Sequence, residues 1–396
     1  LIYTGQGGKS ALDSKPNEDQ KLERGNLAME GSMKHEVPVR VTRGIKDTTS
    51  PSGKTYTYDG LYQVEQCWSE KGKFGFEEFK FKLRRLPGQP ELGSAVLKLS
   101  NSLKQNPSER QGLCLADIAD GKEGFPICVV NTVDSLHSPQ PFQYSTSLYY
   151  PQGASYYQQN FGGAIGCDCK GVCNVSQACS CFTKNGSVFA YLNGGVLVKE
   201  RAIIYECGSN CKCPLSCRNR LTQRGMKYRL EVFKTEDRGW GLRSWDSIPA
   251  GSFICEYTGK LIENTQALRS RDYLLDTSRL PQNIPQWGDA SNLLSTRTSQ
   301  IKDFAPRPDI LIDSSQTGNV SRFINHSCSP NVFSQCVAWN HYDSKHPHIM
   351  LFAMDNIPPF NELTMDYGTQ NPSLDSRWVA KHCLCGSEEC KGIFYT

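Results

Sequence analysis

The sequence predicts a mainly β fold with some α-helix, organised around groups of cysteines. Short apolar runs alternate with polar and turn residues, for example in ELTMDYG at 362–368, and such alternation is typical of half-buried strands. Helical periodicity is clear only at 98–104 and 263–276. The third observation is the clustering of the cysteines, because nine of the 18 lie between positions 167 and 217.

The length and charge of the chain set broad limits. A chain of 396 residues is expected to form about two to four domains. A formal net charge of +4 permits binding to nucleic acid without arguing for it. No apolar run reaches the roughly 18–20 residues that span a bilayer, and no secretory signal opens the chain, so no membrane role is expected. The chain starts on Leu1 inside a motif, which indicates a fragment.

The first 110 residues predict a β-rich domain. Strands are expected at 39–44, 56–68 and 74–86, and the last of these alternates apolar with charged residues. Asp59-Gly60 is expected to form a turn. The residues before the first strand mix Gly, Ser, Asp and Lys, and are expected to be mostly loop.

Strands separated by turns are expected again from residue 228 onward. The runs YRLEVFKT, HIMLFAMDNI and ELTMDYG are apolar segments of strand length. Residues 280–308 are rich in Pro, Gly, Ser and Asn and predict an insertion loop. Residues 111–166 lack a clear period and predict an irregular segment before the cysteine block.

The nine clustered cysteines predict a structural zinc cluster. They occur in CDCKGVCNVSQACSC at 167–181 and CGSNCKCPLSC at 207–217. Two cysteines at i and i+2 cannot easily bond each other, but both can face one metal ion. Three tetrahedral zinc ions need twelve ligands, so three of the nine thiolates would each bridge two ions. The predicted ligands are Cys167, Cys169, Cys173, Cys179, Cys181, Cys207, Cys211, Cys213 and Cys217.

A further zinc site is predicted near the C-terminus. The motif HCLCGSEEC at 382–390 provides three thiolates, whereas a tetrahedral site needs four ligands. Cys328 in RFINHSCSPN is the expected fourth ligand, with a nucleophile activated by His326 and a buried thiol as alternatives. The site would comprise Cys328, Cys383, Cys385 and Cys390. The cysteines without partner spacing are expected to be buried apolar residues, namely Cys67, Cys114, Cys128, Cys255 and Cys336.

These motifs resemble those of a known family. The nine-cysteine block, RGWGLRS, EYTGKLI, RFINHSCSPN, ELTMDYG and CLCGSEEC occur in this order in SET-domain protein lysine methyltransferases of the Su(var) class. The resemblance implies a SET-domain fold of short curved sheets with zinc-binding pre-SET and post-SET parts. The motifs YTGQGG, DQKLERGNLAM and PVRVTRG resemble part of an SRA domain, which reads methylated DNA. The combination is similar to plant Su(var)-homologue histone methyltransferases.

The resemblance implies four parts of the chain. Residues 1–110 would be the C-terminal part of an SRA domain whose start is missing, and residues 111–227 a pre-SET region holding three zinc ions. Residues 228–370 would form the SET catalytic domain, and residues 371–396 the post-SET segment. Four zinc ions per chain are therefore expected.

The implied reaction is transfer of a methyl group from S-adenosylmethionine to a lysine amine. Positioning the two reactants can contribute roughly 7–11 kcal/mol. The amine must also be neutral, although a free lysine has a pKa of about 10.4, and a desolvated aromatic channel beside a cationic donor lowers that pKa. By resemblance, Tyr367 is the catalytic orienter, Tyr257 a second channel tyrosine or a core residue, and Phe323 and Met365 line the channel.

The donor-binding residues also follow from the resemblance. Two glycines in RGWGLRS let the backbone approach the donor closely. The residues implied are Arg238, Gly239, Trp240, Gly241, Tyr273, Arg322, Asn325 and His326. Met365 stands where many relatives carry Phe or Tyr, so the number of methyl groups added stays open.

The resemblance to an SRA domain implies a base-binding role for Tyr3 and Thr4. Tyr3 would stack on a flipped base and Thr4 would hydrogen-bond its edge, but the residues that grip the base from the other side normally precede them. Flipping a base costs a few kcal/mol, which half a pocket would not recover. Residues 9–18 are expected to form a finger whose Lys9 and Lys15 meet phosphate, with a solvated loop as the alternative.

The resemblance implies that the function is histone H3 lysine-9 methylation in the nucleus, leading to heterochromatin silencing. The expected partners are the histone H3 tail and methylated DNA. The alternative is a catalytically inactive SET-domain reader that recruits other proteins, although Tyr367, Asn325, His326 and the C-terminal cysteines of an active enzyme are present. The oligomeric state and the DNA context stay open.

Overall fold

A computed structural model describes residues 1–9, 15–46, 53–149, 166–174, 179–192, 194–262, 272–279, 310–339, 346–368 and 379–395. The chain divides into two compact units, Leu1–Ser102 and Leu103–Thr396. Strands outnumber helices in the described parts, which confirms the predicted mainly β class. Among these residues, the helices are all too short or too polar to cross a membrane.

The first unit contains a four-stranded antiparallel sheet in the order β1-β4-β3-β2. Its core is formed by Tyr62, Val64, Phe81 and Leu83. The elements are β1 (Ile2–Thr4), α1 (Arg24–Lys34), β2 (Val39–Lys46), β3 (Lys54–Lys71), β4 (Glu77–Arg85) and the first part of α2 (Gly93–Gln105).

Two local predictions for the first unit are wrong. Asp59-Gly60 does not form a turn, because β3 continues through it, and Gly60 has a φ of 112° where the pairing with β2 shifts register after Val41. The buried Asp59 carboxylate instead accepts hydrogen bonds from Ser94 N at 2.8 Å and Ser94 Oγ at 2.9 Å, and so caps α2. Helix α1 was expected to be loop; only Asn26 in it is buried, so its amphipathic pattern is weak.

The second unit is built from many short strands. Its one further α-helix among the described residues is α3 (Ser180–Lys184), and 3₁₀-helices occur at Pro107–Glu109, Thr222–Arg224, Thr277–Arg279 and Val320–Phe323. The strands are β5 (Leu113–Leu115), β6 (Cys128–Val130), β7 (Gln143–Tyr144), β8 (Ile204–Tyr205), β9 (Leu230–Lys234), β10 (Trp240–Ser244), β11 (Phe253–Glu256), β12 (Lys260–Ile262), β13 (Leu274–Asp276), β14 (Leu311–Asp313), β15 (Thr317–Gly318), β16 (Asn325–His326), β17 (Val332–Ala338), β18 (His348–Ala353), β19 (Thr364–Met365), β20 (Ala380–His382) and β21 (Ile393–Tyr395).

Small sheets pack around several apolar clusters in this unit, and the largest contains residues such as Val232, Ile254 and Leu351. They are ordered β10-β9-β6-β5, β11-β18-β17-β19-β16, β12-β14-β13, β15-β7 and β20-β21, and β8 also pairs with β17. The parallel pair β16–β19 sets Asn325 opposite Thr364 and His326 opposite Met365. Two sequence motifs that are about 40 residues apart therefore lie side by side.

The helix predictions had mixed outcomes. Residues 98–104 lie within α2 as predicted. The helix expected at 263–276 is wrong at its end, because Leu274–Asp276 pairs with β14 as a strand, and residues 263–271 lie outside the described residues. The insertion loop expected at 280–308 also lies outside them.

Candidate active site and metal centres

The nine cysteines of the predicted cluster are all buried and lie close together. Three groups of four have sulfur atoms within 4.8 Å of one another. Cys167 belongs to all three groups, whereas Cys173 and Cys207 each belong to two. Cys217 is a hydrogen-bonding neighbour of Cys173 and Cys207. The donor set, with its shared sulfurs, fits structural zinc coordination. The groups are Cys167, Cys173, Cys207 and Cys213; Cys167, Cys181, Cys207 and Cys211; and Cys167, Cys169, Cys173 and Cys179.

Buried polar side chains surround this cluster. Arg220 Nε donates to Cys213 Sγ at 3.5 Å, and Asn219 Nδ2 donates to Cys207 Sγ at 3.4 Å. Nine thiolates and three divalent ions would leave a net negative charge, which the Arg220 guanidinium offsets in part. Hydrogen bonds of this kind orient metal ligands and tune their basicity.

The C-terminal cysteines meet Cys328 as predicted. The sulfur atoms of Cys328, Cys383, Cys385 and Cys390 lie within 4.8 Å of one another, and Cys328 Sγ is 3.8 Å from Cys383 Sγ. Four thiols at this spacing fit a closed tetrahedral zinc site.

The remaining cysteines only partly follow the expectation of burial. Cys128 and Cys255 are buried, whereas Cys67, Cys114 and Cys336 are half-buried. Burial raises the pKa of the Cys128 thiol to about 12, so this thiol is protonated at neutral pH, and it donates to Glu231 Oε2 at 3.7 Å.

A narrow pocket lies beside the C-terminal cysteine site and encloses about 20 Å³. A space of that size holds about one water molecule. The pocket collects several of the predicted site residues, including both tyrosines. It is lined by Tyr257, Asp272, Tyr273, Leu274, Leu275, Asp276, Arg279, Ser321, Arg322, Ile324, Met365, Tyr367 and Tyr395.

The two predicted channel tyrosines both donate hydrogen bonds, Tyr257 from a buried position and Tyr367 from a half-buried one. Tyr367 Oη donates to the carbonyl oxygen of Ile324 at 2.6 Å, and Tyr257 Oη donates to the carbonyl oxygen of Tyr273 at 3.3 Å. Burial raises the pKa of Tyr257 to about 12 and also raises the pKa of Tyr367. Both hydroxyls are therefore neutral at physiological pH, with lone pairs left to accept a further hydrogen bond.

Arg322 is a buried cation with unused donors. Its side chain contacts the ring of Tyr273, with the guanidinium carbon 3.9 Å from the ring centroid, and Nη2 donates to the carbonyl oxygen of Ser315 at 3.2 Å. Nε and Nη1 have no hydrogen-bond partner within the described residues. Leaving buried donors unpaired costs about 1–3 kcal/mol, so these atoms fit a polar ligand group in the pocket.

The segments that were predicted to bind the donor are joined by a residue that the sequence did not single out. Glu362 Oε2 accepts from Arg238 Nη2 at 2.8 Å, and Glu362 Oε1 accepts from Asn325 Nδ2 at 2.8 Å. Asn325 Nδ2 also donates to the carbonyl oxygen of Trp240 at 3.2 Å. A Cβ on Gly241 would lie 2.9 Å from Glu362 Oε1, so a side chain there would crowd the carboxylate.

The loop between β9 and β10 contains the other glycine of the motif. Gly239 has a φ of 75°, a conformation that glycine adopts readily. Its carbonyl oxygen accepts from Thr235 N at 2.8 Å, which closes the turn before Trp240.

His326 lies between the C-terminal cysteine site and Tyr367. Burial lowers the pKa of the imidazole, against the opposing effect of the Asp366 carboxylate, so the ring is neutral. Nδ1 accepts from Tyr367 N at 3.2 Å, and Nε2 lies 3.5 Å from Cys328 Sγ.

The C-terminal strand completes the pocket with residues that sequence reasoning missed. Tyr395 lines the pocket, and Phe394 stacks on His326 with ring centroids 4.8 Å apart. Arg279 Nη2 donates to the carbonyl oxygen of Gly368 at 2.8 Å, directly after Tyr367. The aromatic run IFYT at 393–396 was the only sequence signal for this part.

The Phe323 side chain is buried in the core against Phe142, with ring centroids 5.8 Å apart, and its role in the channel stays a prediction. It neighbours Arg322 and Ile324, which do line the pocket. The 3₁₀-helix at Val320–Phe323 turns successive side chains in different directions, which separates these neighbours.

In the first unit, Tyr3 and Thr4 lie on strand β1. The half-buried Tyr3 ring packs against Phe81 with centroids 6.2 Å apart, and Thr4 Oγ1 accepts from Lys80 Nζ at 2.9 Å. Lys15 Nζ lies 5.9 Å from the centroid of the Phe74 ring. Residues 10–14 of the expected finger lie outside the described residues.

Three segments of the chain match known protein domains. Residues 1–89 match the SAD/SRA domain, residues 119–220 the Pre-SET motif and residues 239–368 the SET domain. The fold and its cysteine clusters are therefore those of a SET-domain protein that also carries an SRA domain.

Individual relatives make the family more specific. The chain is 45% identical over 405 residues to the H3 lysine-9 specific histone-lysine N-methyltransferase SUVH3 of Arabidopsis thaliana, covering 100% of this chain and 59% of that protein. It is 44% identical over 410 residues to SUVH5 of the same plant, covering 46% of that protein. The chain thus spans about half the length of these curated relatives.

Solved structures agree. The crystal structure of SUVH9 matches with a TM-score of 0.80 and 40% identity, over 93% of this chain and 76% of that one. The structure of KRYPTONITE in complex with mCHG DNA and SAH matches with a TM-score of 0.76 and 36% identity, over 99% of this chain and 74% of that one. The chain belongs to the SUVH family, which confirms the resemblance seen in the sequence.

Proposed function

We propose that this chain is the SRA and SET part of an S-adenosylmethionine-dependent methyltransferase that acts on lysine 9 of histone H3. The observation that carries the proposal is the pocket in which Tyr257, Tyr273, Arg322 and Tyr367 meet beside the C-terminal thiol site. SUVH3 and SUVH5 are both named as H3 lysine-9 specific enzymes, which supports this substrate.

The donor site is proposed to comprise the residues implied by the sequence. When bound, S-adenosylmethionine supplies a methyl group that its sulfonium charge activates. The free donors of Arg322 fit a polar part of that molecule, and Glu362 holds Arg238 and Asn325 in fixed positions. A SUVH6 structure in complex with SAM matches this chain with a TM-score of 0.78, which supports the assignment.

The lysine side is proposed to depend on the tyrosines. A lysine amine entering the buried pocket loses its hydration, which favours the neutral form, and its proton leaves to solvent before attack. The hydroxyls of Tyr257 and Tyr367 are neutral, so they orient the amine by hydrogen bonds without stabilising an ammonium ion by opposite charge. Met365 borders the same pocket and limits the space for added methyl groups.

Zinc is proposed to hold both thiol sites, with three ions in the nine-cysteine cluster and one at the C-terminal site. Cys328 is then a ligand contributed from the motif RFINHSCSPN, far in sequence from the other three. The metal there has a structural role, because four thiolates leave no open coordination position.

Methylated DNA is proposed to direct the enzyme to chromatin in the nucleus through the SRA domain. The KRYPTONITE complexes with mCHG DNA, and with mCHH DNA and an H3(1-15) peptide, support both partners. A protein carrying a complete SRA domain should shift a methylated duplex more strongly than an unmethylated one. Equal shifts would contradict the targeting role.

We also propose the domain limits 1–110, 111–227, 228–370 and 371–396 for the SRA, pre-SET, SET and post-SET parts. The family matches at 1–89, 119–220 and 239–368 fall inside the first three.

Mass spectrometry of an H3 peptide after incubation with the protein and S-adenosylmethionine tests the proposed activity. Methylation is expected at lysine 9, and a peptide acetylated at that lysine is the matched control. Methylation of the control to the same extent would place the target elsewhere. Donor binding by calorimetry without any methylation would favour the alternative, a catalytically inactive reader.

A further inference from the structure

The side chain of His326 links two sites that the proposed function treats separately. A neutral imidazole has one donor nitrogen and one acceptor nitrogen. Nδ1 accepts the Tyr367 N–H at 3.2 Å, so the ring proton resides on Nε2. That nitrogen faces Cys328 Sγ at 3.5 Å and donates to it. One ring thus joins a zinc-ligand candidate to the backbone of the candidate catalytic tyrosine.

Packing fixes the ring in this orientation. His326 is 5% exposed, and Phe394 stacks on it at an interplanar angle of 16°. The same Phe394 ring meets Tyr367 edge-on with centroids 5.9 Å apart. Cys328 Sγ also accepts from Lys391 N at 3.3 Å. Residues just after the C-terminal thiols therefore hold the sulfur and the imidazole together.

The position of the Cys328 sulfur depends on the other three thiols of the site. The sulfur atoms of Cys328, Cys383, Cys385 and Cys390 lie within 4.8 Å of one another, and Cys328 Sγ lies 3.5 Å from His326 Nε2. If the site comes apart, the Cys328 side chain is free to rotate away from Nε2. The imidazole ring then loses the partner that holds it in place beside Tyr367 N.

We propose that His326 is a positioning residue that couples the integrity of the C-terminal thiol site to the placement of Tyr367. The inference rests on the proposed function and deepens it. The C-terminal site orients the candidate catalytic tyrosine through the two contacts of one imidazole ring, Nε2 with Cys328 Sγ and Nδ1 with Tyr367 N.

A double-mutant cycle tests the coupling in the full chain. The variants are His326→Phe, Cys390→Ser and the two combined, and the measurement is hydrogen exchange at the Tyr367 amide together with zinc content. Each single change should speed exchange at this amide by about tenfold or more, because the amide loses an acceptor that is held in place. A factor of ten corresponds to about 1.4 kcal/mol. The combined variant should exchange no faster than the faster single variant, since both changes break one chain of contacts. Multiplying effects, or unchanged exchange in Cys390→Ser despite zinc loss, would overturn the proposal.

Two further variants separate coupling from general damage. Glutamine retains one donor and one acceptor, so His326→Gln should keep exchange nearer to that of the parent than His326→Phe does. His348→Phe is the matched control, because His348 is also stacked on an aromatic ring, Trp339, and bonded to a carboxylate, Glu256. It should leave the Tyr367 amide unchanged, and an equal effect would count against the proposal.

The readouts are chosen so that the two proposals can fail separately. If His326→Phe does not fold, the same cycle is measured with His326→Leu and Cys390→Ser, and full additivity there would refute the coupling. Exchange and zinc content do not depend on methyl transfer. Intact coupling without methylation would refute the proposed function alone.

Discussion

Replacing Glu362 should weaken donor binding by an amount that follows from its two contacts. The carboxylate accepts from Arg238 and Asn325, both at 2.8 Å, and its side chain is 16% exposed. Hydrogen bonds to a charged group contribute about 1.5–3 kcal/mol each. At the low end, Glu362→Ala therefore removes about 3 kcal/mol of interactions that hold the donor-binding segments in place. If all of this is lost from donor binding, the donor Kd rises by up to about 100-fold.

Glu362→Gln should have a smaller effect. The amide oxygen still accepts from Asn325, whereas the amide nitrogen cannot accept from Arg238. One bond is lost, about 1.5 kcal/mol, which corresponds to roughly tenfold in Kd. Isothermal titration with S-adenosylmethionine measures both values. Glu256→Gln is the matched control, because that carboxylate bonds His348 at a similar exposure of 13%.

The result that refutes this reasoning is specific. If Glu362→Ala binds the donor within about threefold of the parent, with unchanged zinc content and melting temperature, then the carboxylate does not order the donor-binding segments. A large effect of the control variant would show that any buried carboxylate lost from this unit disturbs binding.

Three further outcomes are expected. Tyr367→Phe should abolish most methylation of an H3 peptide while zinc content and circular dichroism stay unchanged; retained turnover would move the catalytic role elsewhere. Metal analysis should give about four zinc ions per chain and about three for Cys390→Ser, and equal values would remove the C-terminal site. Burial would raise the pKa of Glu231, but the hydrogen bonds and charges of Arg110 and Arg243 lower it overall. The ionised carboxylate therefore stabilises the folded state at pH values above the unfolded pKa of about 4.3. This contribution to the free energy of unfolding is lost as the pH falls through the pKa of Glu231 in the folded state. The midpoint of acid unfolding should therefore lie at higher pH in Glu231→Gln than in the parent. An unchanged midpoint would show that the carboxylate contributes nothing to stability.

The metal sites were predictable because metal coordination has a fixed ligand number. Three C-terminal thiols require a fourth, and the unpaired Cys328 in RFINHSCSPN satisfies that count although it is 55 residues from Cys383. Ligand counting does not depend on knowing the chain path, so it succeeds where contact prediction from one sequence fails.

The missed residues depend on tertiary contacts instead. Glu362 is an unremarkable acid in its motif, and its role arises only because the parallel pair β16–β19 brings that motif beside Asn325. Phe394 and Tyr395 follow a cysteine motif with no signal of where they fold. The turn predicted at Asp59-Gly60 is wrong because glycine is typical both of turns and of irregular pairing within a strand.

The sharing of Cys167, Cys173 and Cys207 between neighbouring sulfur groups has a consequence for assembly. An ion cannot leave one group without loosening ligands of its neighbours, so partly filled states are unfavourable. Occupancy should therefore rise in a single cooperative step as metal is added, and a chelator should empty the cluster in one step. Oxidation of one shared sulfur would disable more than one ion site.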